Sequence, residues 1–391
     1  MSKAVDRSSR RMASLDALRG IIMILMALDH ASFFIARMHS REFWGTPLPD
    51  YASVLPFIMR LASHICAPGF FFLMGVGMAL MARARLNGGW PHRKLTRFFA
   101  VRGILLMTLQ LLVENPAWGL AFVFGAPGSF ISRGGPLPGS GEGLAVYFGV
   151  LFALGAAMLV WAFLMQLRWQ LQLAFALSAI LFTQWVIPGS DAAPRLYHAF
   201  VRLLVIPGRT DHVVVFYPVI PWLGVTGLGV LLGRWLAETS NGNPPLTWAG
   251  WCGALGLVVF VLIRSIGGPG NLHPPAPGWI GFFNLTKYPP SVAFICLTMG
   301  VNCLLLWALS MKGVVQRALF KTMAVYGRAP LFFYVVHLYL YGIMGWLAPA
   351  GVAPAPMMLF WLAGLVLLYP LCKRYDYYKR RSPIASPWRY F

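Results

Sequence analysis

Apolar stretches of membrane-crossing length recur along this chain and leave few folds open to it. About 20 residues of helix are needed to cross a ~30 Å hydrocarbon core. A walk along the sequence finds about ten such runs, near 14–36, 53–82, 98–124, 144–166, 169–188, 217–236, 248–266, 290–311, 329–347 and 356–372. With 58% hydrophobic and only 11% charged residues, the composition lies far from that of a soluble domain. In lipid every backbone polar group must be paired within the protein, and uninterrupted apolar runs satisfy that requirement as helices. The expectation is an all-α polytopic membrane bundle of about ten transmembrane helices, forming one domain over 1–391. Within it, residues 1–13 are expected as a cytoplasmic N-terminal segment and 373–391 as a cytoplasmic basic tail.

Charge orients the bundle. With the N-terminus inside, the loops on its side carry 21 Lys and Arg against seven on the other side, so both termini are expected in the cytoplasm. The same asymmetry explains the net charge of +21 without a nucleic-acid partner. Five scattered cysteines lack metal-ligand or disulfide spacing, and no metal is expected. The first run follows Lys3, Arg7, Arg10 and Arg11 but lacks a small-residue cleavage site, so it reads as a retained helix. No Walker or dinucleotide signature and no internal repeat is present. The glycines of 72–77 and 224–233 suit helix packing better than a phosphate loop. Three loops expected outside, 125–143, 189–217 and 267–288, are long enough to cap a cavity, and Leu196–Ile206 has the pattern of a short interfacial helix. Arg195, Arg202 and Arg209 in that region suit an anionic acceptor or lipid headgroups equally.

Ionisable groups inside the apolar runs are the candidate chemistry, because burying charge in a membrane is costly. The first run carries Asp16, Arg19, Asp29 and His30. Arg19 and His30 lie nearly three turns apart, so both project from one face, with the imidazole roughly 16 Å beyond the guanidinium. By the same helical rise, His30, His64 and Glu114 sit at a shared depth, roughly 22 to 25 Å from the inner face. They are therefore expected to surround one cavity, with Glu114 orienting His30 and Asp29 pairing with Arg60 or Arg264. Each also has a packing role open to it: a histidine as an interhelical pin, Glu114 at the helix break of Asn115-Pro116, Arg102 snorkelling to the interface.

Several motifs in order resemble one family. Ser14-Leu-Asp-Ala-Leu-Arg-Gly continuing to Asp29-His30 is similar to the opening helix of the transmembrane acyltransferase superfamily, with its Arg, ten intervening residues and a His. His64-Ile-Cys-Ala-Pro-Gly-Phe-Phe-Phe-Leu-Met-Gly is closer to one branch, the bacterial relatives of the lysosomal heparan-α-glucosaminide N-acetyltransferase. Tyr217-Pro-Val-Ile-Pro-Trp-Leu-Gly, Lys287-Tyr-Pro-Pro-Ser and Gly327-Arg-Ala-Pro-Leu-Phe-Phe-Tyr-Val-Val-His extend the likeness to the ninth helix. The resemblance implies transfer of an acyl group, usually acetyl from acetyl-CoA, to a hydroxyl or amine of a glycan-like acceptor. One departure matters: in the lysosomal enzyme the position of His30 looks like an asparagine, and the catalytic histidine falls just beyond, where this chain has His39.

Acyl transfer from a thioester needs a general base near neutrality, which histidine supplies. His30 is favoured over His39 for that role, with His64, Asp29 and Glu114 as catalytic partners. Arg19, Arg102, Arg328 and His337 are the candidates for binding acyl-CoA from the cytoplasmic side. Arg60, Lys287 and Tyr288 are candidates for an acceptor on the outer side of what is expected to be a bacterial cytoplasmic membrane. Membrane lipids and a homodimer partner are further expected associations. A transporter or flippase using the same polar cavity without chemistry is the rival reading.

Overall fold

A computed structural model describes residues 2–51, 53–129, 131–134, 137–139, 145–187, 198–238, 246–383 and 386, with side chains from residue 13 onward. The chain begins with α1 (Ser2–Phe34), β1 (Met38–Ser40), α2 (Val54–Ser63), α3 (Cys66–Asn87) and α4 (His92–Leu109). A π-helical turn, Gln110–Glu114, leads into α5 (Asn115–Val123), followed by β2 (Ile131–Arg133), β3 (Val146–Phe148), α6 (Val150–Leu164), α7 (Trp169–Val186) and α8 (Ala199–Leu204). Then come β4 (Gly208–Arg209), β5 (Val213–Val215), α9 (Val219–Glu238), α10 (Thr247–Ile266) and α11 (Gly278–Phe283). The last elements are α12 (Val292–Ser310), α13 (Ala318–Arg328), α14 (Pro330–Met344) and α15 (Pro354–Arg381).

The protein is an all-α polytopic bundle. Among the described residues eight helical stretches are long and apolar enough to cross a membrane. The other two expected spans correspond to α6, apolar but only 15 residues long, and α7, whose Gln170, Gln172 and Gln184 lower its mean hydropathy. Both pack on α9, and the Trp161 indole of α6 donates to the Leu223 carbonyl at 2.9 Å. The second and third spans are not single helices. The run expected at 53–82 breaks at His64–Ile65 between α2 and α3, and the third carries the π-helical turn ahead of Asn115-Pro116, where the proline has no N–H to continue the ladder.

Small residues let the helices approach closely, the packing device expected when lipid removes the hydrophobic drive between helices. A Cβ on Gly20 of α1 would lie 1.9 Å from the Met323 carbonyl oxygen, and one on Gly327 would lie 1.9 Å from that of Asp16, so α1 and α13 cross backbone to backbone. Gly75 of α3 and the glycines of 224–233 act in the same way, with Gly75 against Thr226 and Gly229 of α9 against Phe72, whereas Gly77 meets nothing within 4 Å.

The two ends of the bundle differ. At the terminal end, where α1 begins and α15 finishes, Arg328 pairs with Asp376 at 2.9 Å beside Asp16 and Arg19. At the loop end the connections fold into two small sheets: β1 pairs in parallel with β2, and β5 lies between β3 and β4. Buried arginines hold this end together through carbonyl oxygens that helix ends and loops leave unpaired. Arg37 donates to Ala121 at 2.6 Å and Gly345 at 2.9 Å, and Arg264 donates to Phe282, His273 and Gly281 and to the Asn271 side chain. Arg264 is thus a loop staple and does not reach Asp29. The expected interfacial helix 196–206 is only the single turn and a half of α8. Its Arg202 is fully buried and donates to Pro207 at 2.8 Å, so it does not offer its charge to lipid or solvent. Arg195 lies outside the described residues.

Candidate functional site

Where α1 meets α14, His30 stacks on His337, with ring centroids 4.9 Å apart and Nδ1 of His30 2.6 Å from Nε2 of His337. Nδ1 of His337 lies 2.9 Å from the Phe333 carbonyl, one helical turn back. A carbonyl only accepts, so the His337 proton sits on Nδ1 and its Nε2 is the acceptor. His30 must then donate from Nδ1, and a neutral His30 keeps its lone pair on Nε2. No described residue bonds that nitrogen, and His30 lines two adjoining cavities. Glu114 was the partner expected for His30, but its Oε1 instead accepts from the Trp118 indole at 3.0 Å, and it is the Trp118 ring, edge-on at 4.9 Å, that meets His30. The expectation failed because α14, distant in sequence, packs closer to this face of α1 than the π-helical turn does.

The larger of the two adjoining cavities, about 300 Å³, opens at the loop end. His30, His39, Asp29 and Glu114 line it together with an aromatic wall that includes Trp118, Tyr147, Phe216, Tyr217, Tyr288 and Tyr334. His39 sits on β1 between Phe33 and Phe216, with no hydrogen-bond partner among the described residues. Burial, reinforced by the nearby Arg60 charge, pushes its imidazole down to about 3, so it is neutral at ordinary pH.

Behind this wall lies an ion network. Arg60 grips Glu42 through Nε at 2.7 Å and Nη2 at 2.5 Å, holds both Asp29 oxygens through Nη1 at 2.8 Å, and donates to the Ser40 carbonyl. Burial alone would raise the Glu42 carboxyl, but the bidentate guanidinium holds it below the usual carboxylate range. With its donors committed in this way, Arg60 orders Asp29 and the 40–42 loop and has none left over for an acceptor. His64, buried at the break between α2 and α3, approaches Glu42 at 3.5 Å and does not line the His30 cavity. Equal depth put it close, but the helix break turns its ring toward the network instead.

A second large cavity, about 580 Å³, opens at the terminal end. Its rim carries Arg19, Arg85, Arg102, Arg328, Lys379 and Arg380 beside Asp16 and Asp376. Its walls are apolar and rich in methionine: Met23, Met74, Met78, Met81 and Met158 line it with Phe70 and Phe98. Arg19, Arg102 and Arg328 therefore meet as expected of one site, whereas His337 lies deeper, against His30. Between the two large cavities lies a small one of about 40 Å³, lined by Met26, Asp29, His30, Ser63, Cys66, Phe70, Tyr217 and Lys287. Phe70 is shared with the terminal-end cavity, while Asp29, His30 and Tyr217 are shared with the loop-end one. This small cavity, the neck, has His30 on the wall it shares with the loop-end cavity.

Lys287 and Tyr288 were expected to face outside. Both are buried, 4% and 3% exposed, because the 284–291 segment is drawn inward by hydrogen bonds from the Lys287 and Tyr288 amides to the Glu42 carbonyl. Sequence reasoning missed Glu42, Phe70, Trp118 and Tyr334 altogether. The spacing of His337 three residues after Tyr334 on one helix was the available signal for the last of these.

A family model described as "Heparan-alpha-glucosaminide N-acetyltransferase, catalytic" matches residues 11–263, which takes in α1, the neck residues up to Tyr217 and most of α10. A search of curated proteins finds no match to the chain. The match covers well over half of the sequence and carries with it a membrane acetyltransferase type of role. The chain belongs to the heparan-alpha-glucosaminide N-acetyltransferase catalytic family.

Proposed function

We propose that the protein moves an acyl group, acetyl above all, from acyl-CoA at the terminal end to a hydroxyl or amine of a glycan-like acceptor at the loop end. The observation that carries this reading is a small cavity between two chemically different ones, sharing Phe70 with one and Asp29, His30 and Tyr217 with the other. The cationic rim suits the phosphates of CoA, and the apolar methionine wall suits the slender arm that ends in the thioester. Aromatic faces with a few carboxylates suit a sugar or amino sugar, which stacks on rings and hydrogen-bonds at its edges. Nε2 of His30 takes the proton of the attacking hydroxyl or amine and returns it to the departing thiolate, while His337 holds the ring in the tautomer that leaves Nε2 free. His39, facing the same acceptor cavity but not the neck, binds the acceptor in this scheme. The terminal end is the cytoplasmic one, in keeping with the excess of Lys and Arg there.

A transporter would need a passage wide enough for its cargo. A neck of about 40 Å³ has room for one or two water-sized groups, which favours passage of an acyl group over passage of a sugar. The first test is acetyl-CoA binding to the purified protein by calorimetry. Wild type is expected to bind, with Arg19→Ala weakening binding about tenfold, the usual effect of losing one exposed phosphate contact of roughly 1.4 kcal/mol. Wild type that binds neither acetyl-CoA nor longer acyl-CoAs would sink the proposal.

A further inference from the structure

Within this acyl-transfer reading, the neck holds a cation that makes no hydrogen bond to His30 or to the ion network. Lys287 is 4% exposed, yet its ammonium has no hydrogen-bond partner among the described residues; it lies 5.1 Å from the Tyr288 ring and feels the Asp29 charge without bonding to it. The Asp29 carboxylate, which lines the same cavity, is committed to Arg60 through both oxygens. An ammonium that meets only an enclosed cavity, with no protein acceptor, is free to pair with a group that arrives there during function. Lys287 and His30 both line the small neck of about 40 Å³.

We infer that Lys287 is the catalytic group that receives the negative charge formed on the acyl carbonyl oxygen. As the acceptor oxygen or nitrogen bonds to the carbonyl carbon, its proton passes to Nε2 of His30 and the carbonyl π pair moves onto oxygen beside the Lys287 ammonium. When that pair returns, the carbon–sulfur bond breaks, and the CoA thiolate leaves and takes the proton back from His30. Lys287 approaches from the loop-end segment and His30 from α1, so base and cation face the carbonyl from different elements of the neck. Arg60, the other buried cation close by, has its hydrogen-bonding capacity spent on Asp29, Glu42 and Ser40 and cannot take this role.

The test needs no knowledge of the acceptor. Binding of acetyl-CoA is compared with binding of a CoA thioether ending in a trifluoromethyl ketone, whose carbonyl is tetrahedral once hydrated. Wild type is expected to prefer the ketone by about a hundredfold, the effect of one well-placed oxyanion donor. Lys287→Met should bring that preference close to unity while acetyl-CoA affinity stays within about threefold. Lys287→Gln carries the same test if the Met variant does not fold. A neutral variant that keeps the full preference, or loses both ligands in proportion, overturns the assignment and leaves Lys287 as a charge-balancing residue. Wild type that binds neither ligand overturns the acyl-CoA reading as well, so the two failures are distinguishable.

Discussion

The terminal-end and loop-end cavities are walled by overlapping helices yet are built on opposite principles. The terminal-end cavity is roomy, its walls are flexible methionines, and its charges sit on a rim where Arg328 and Asp376 or Arg19 and Asp16 already pair in part-exposed bridges. Such a surface recognises phosphate and thioether by charge and adaptable contact, without needing exact placement. The loop-end cavity is walled by stacked and edge-on rings, with Arg37 holding the Ala121 carbonyl of α5 and Arg60 holding Asp29 and the 40–42 loop beside them. A site of that kind holds its reacting groups in place before the substrate arrives. Under the proposed function, this contrast is between an end that binds and an end that reacts.

The sharpest way to break this division is to remove the base. His30→Ala should lower acyl transfer by about 10²- to 10⁴-fold, the range for a positioned general base, while acetyl-CoA affinity at the terminal end changes little. His337→Gln should fall between, because a glutamine amide can still accept from Nδ1 of His30 but without the Phe333 contact that fixes its orientation. Transfer by His30→Ala at wild-type rate, measured with a membrane fraction and radiolabelled acetyl-CoA, would move the base to His39.

A second comparison lies within α3, on whose small residues the close approach of α9 depends. A Cβ on Gly75 would fall 2.2 Å from the Thr226 carbonyl oxygen, whereas one on Gly77, two residues on, meets nothing within 4 Å because it points into the terminal-end cavity. Gly75→Ala should therefore cost about 1 to 3 kcal/mol, the usual penalty for overpacking, and lower the thermal midpoint in detergent. Gly77→Ala should leave the midpoint unchanged. Equal effects of the two substitutions would mean that the cavity is closed in the folded protein.

Much of this was legible in the sequence, and the failures share a cause. Apolar run length gave the bundle, and the Arg19–His30 spacing placed on one helix two residues that line the two large cavities, because helical period is a local property. Partners across helices were not local. Equal depth suggested that His30, Glu114 and His64 surround one cavity, and His30 and Glu114 do share one; but depth says nothing of azimuth, so His64 turns away and α14 brings His337 to His30 from 307 residues away. The outward placement of Lys287 failed for a related reason: a loop between spans was taken to face water, whereas hydrogen bonds to Glu42 fold it into the bundle. The fate of charges in the spans also depended on partners: Arg60 and Arg264 look alike in sequence, yet one orders a carboxylate beside the neck and the other staples a loop.

The smallest effect concerns protons at the loop end. With its imidazole pushed down to about 3 by burial and by Arg60, folded His39 stays neutral at pH values where the unfolded chain, titrating near its ordinary 6.5, takes up a proton. Stability from this residue is therefore undiminished above pH 6.5 and falls as the pH drops from there toward 3. The ring also borders the cavity, so the cost by pH 5 should be about 1 kcal/mol, below the full linkage value of about 2. Glu42 does not confound this window. Its depressed carboxyl loses stabilisation only at pH values below those at which free carboxylates begin to protonate. Thermal midpoints of wild type and His39→Gln, taken from pH 7 to pH 5, should converge on acidification because the variant lacks the titrating ring. Parallel curves would mean that His39 is reached by water as freely as the arginines of the terminal-end rim, and the contrast between the two ends would then not extend to this residue.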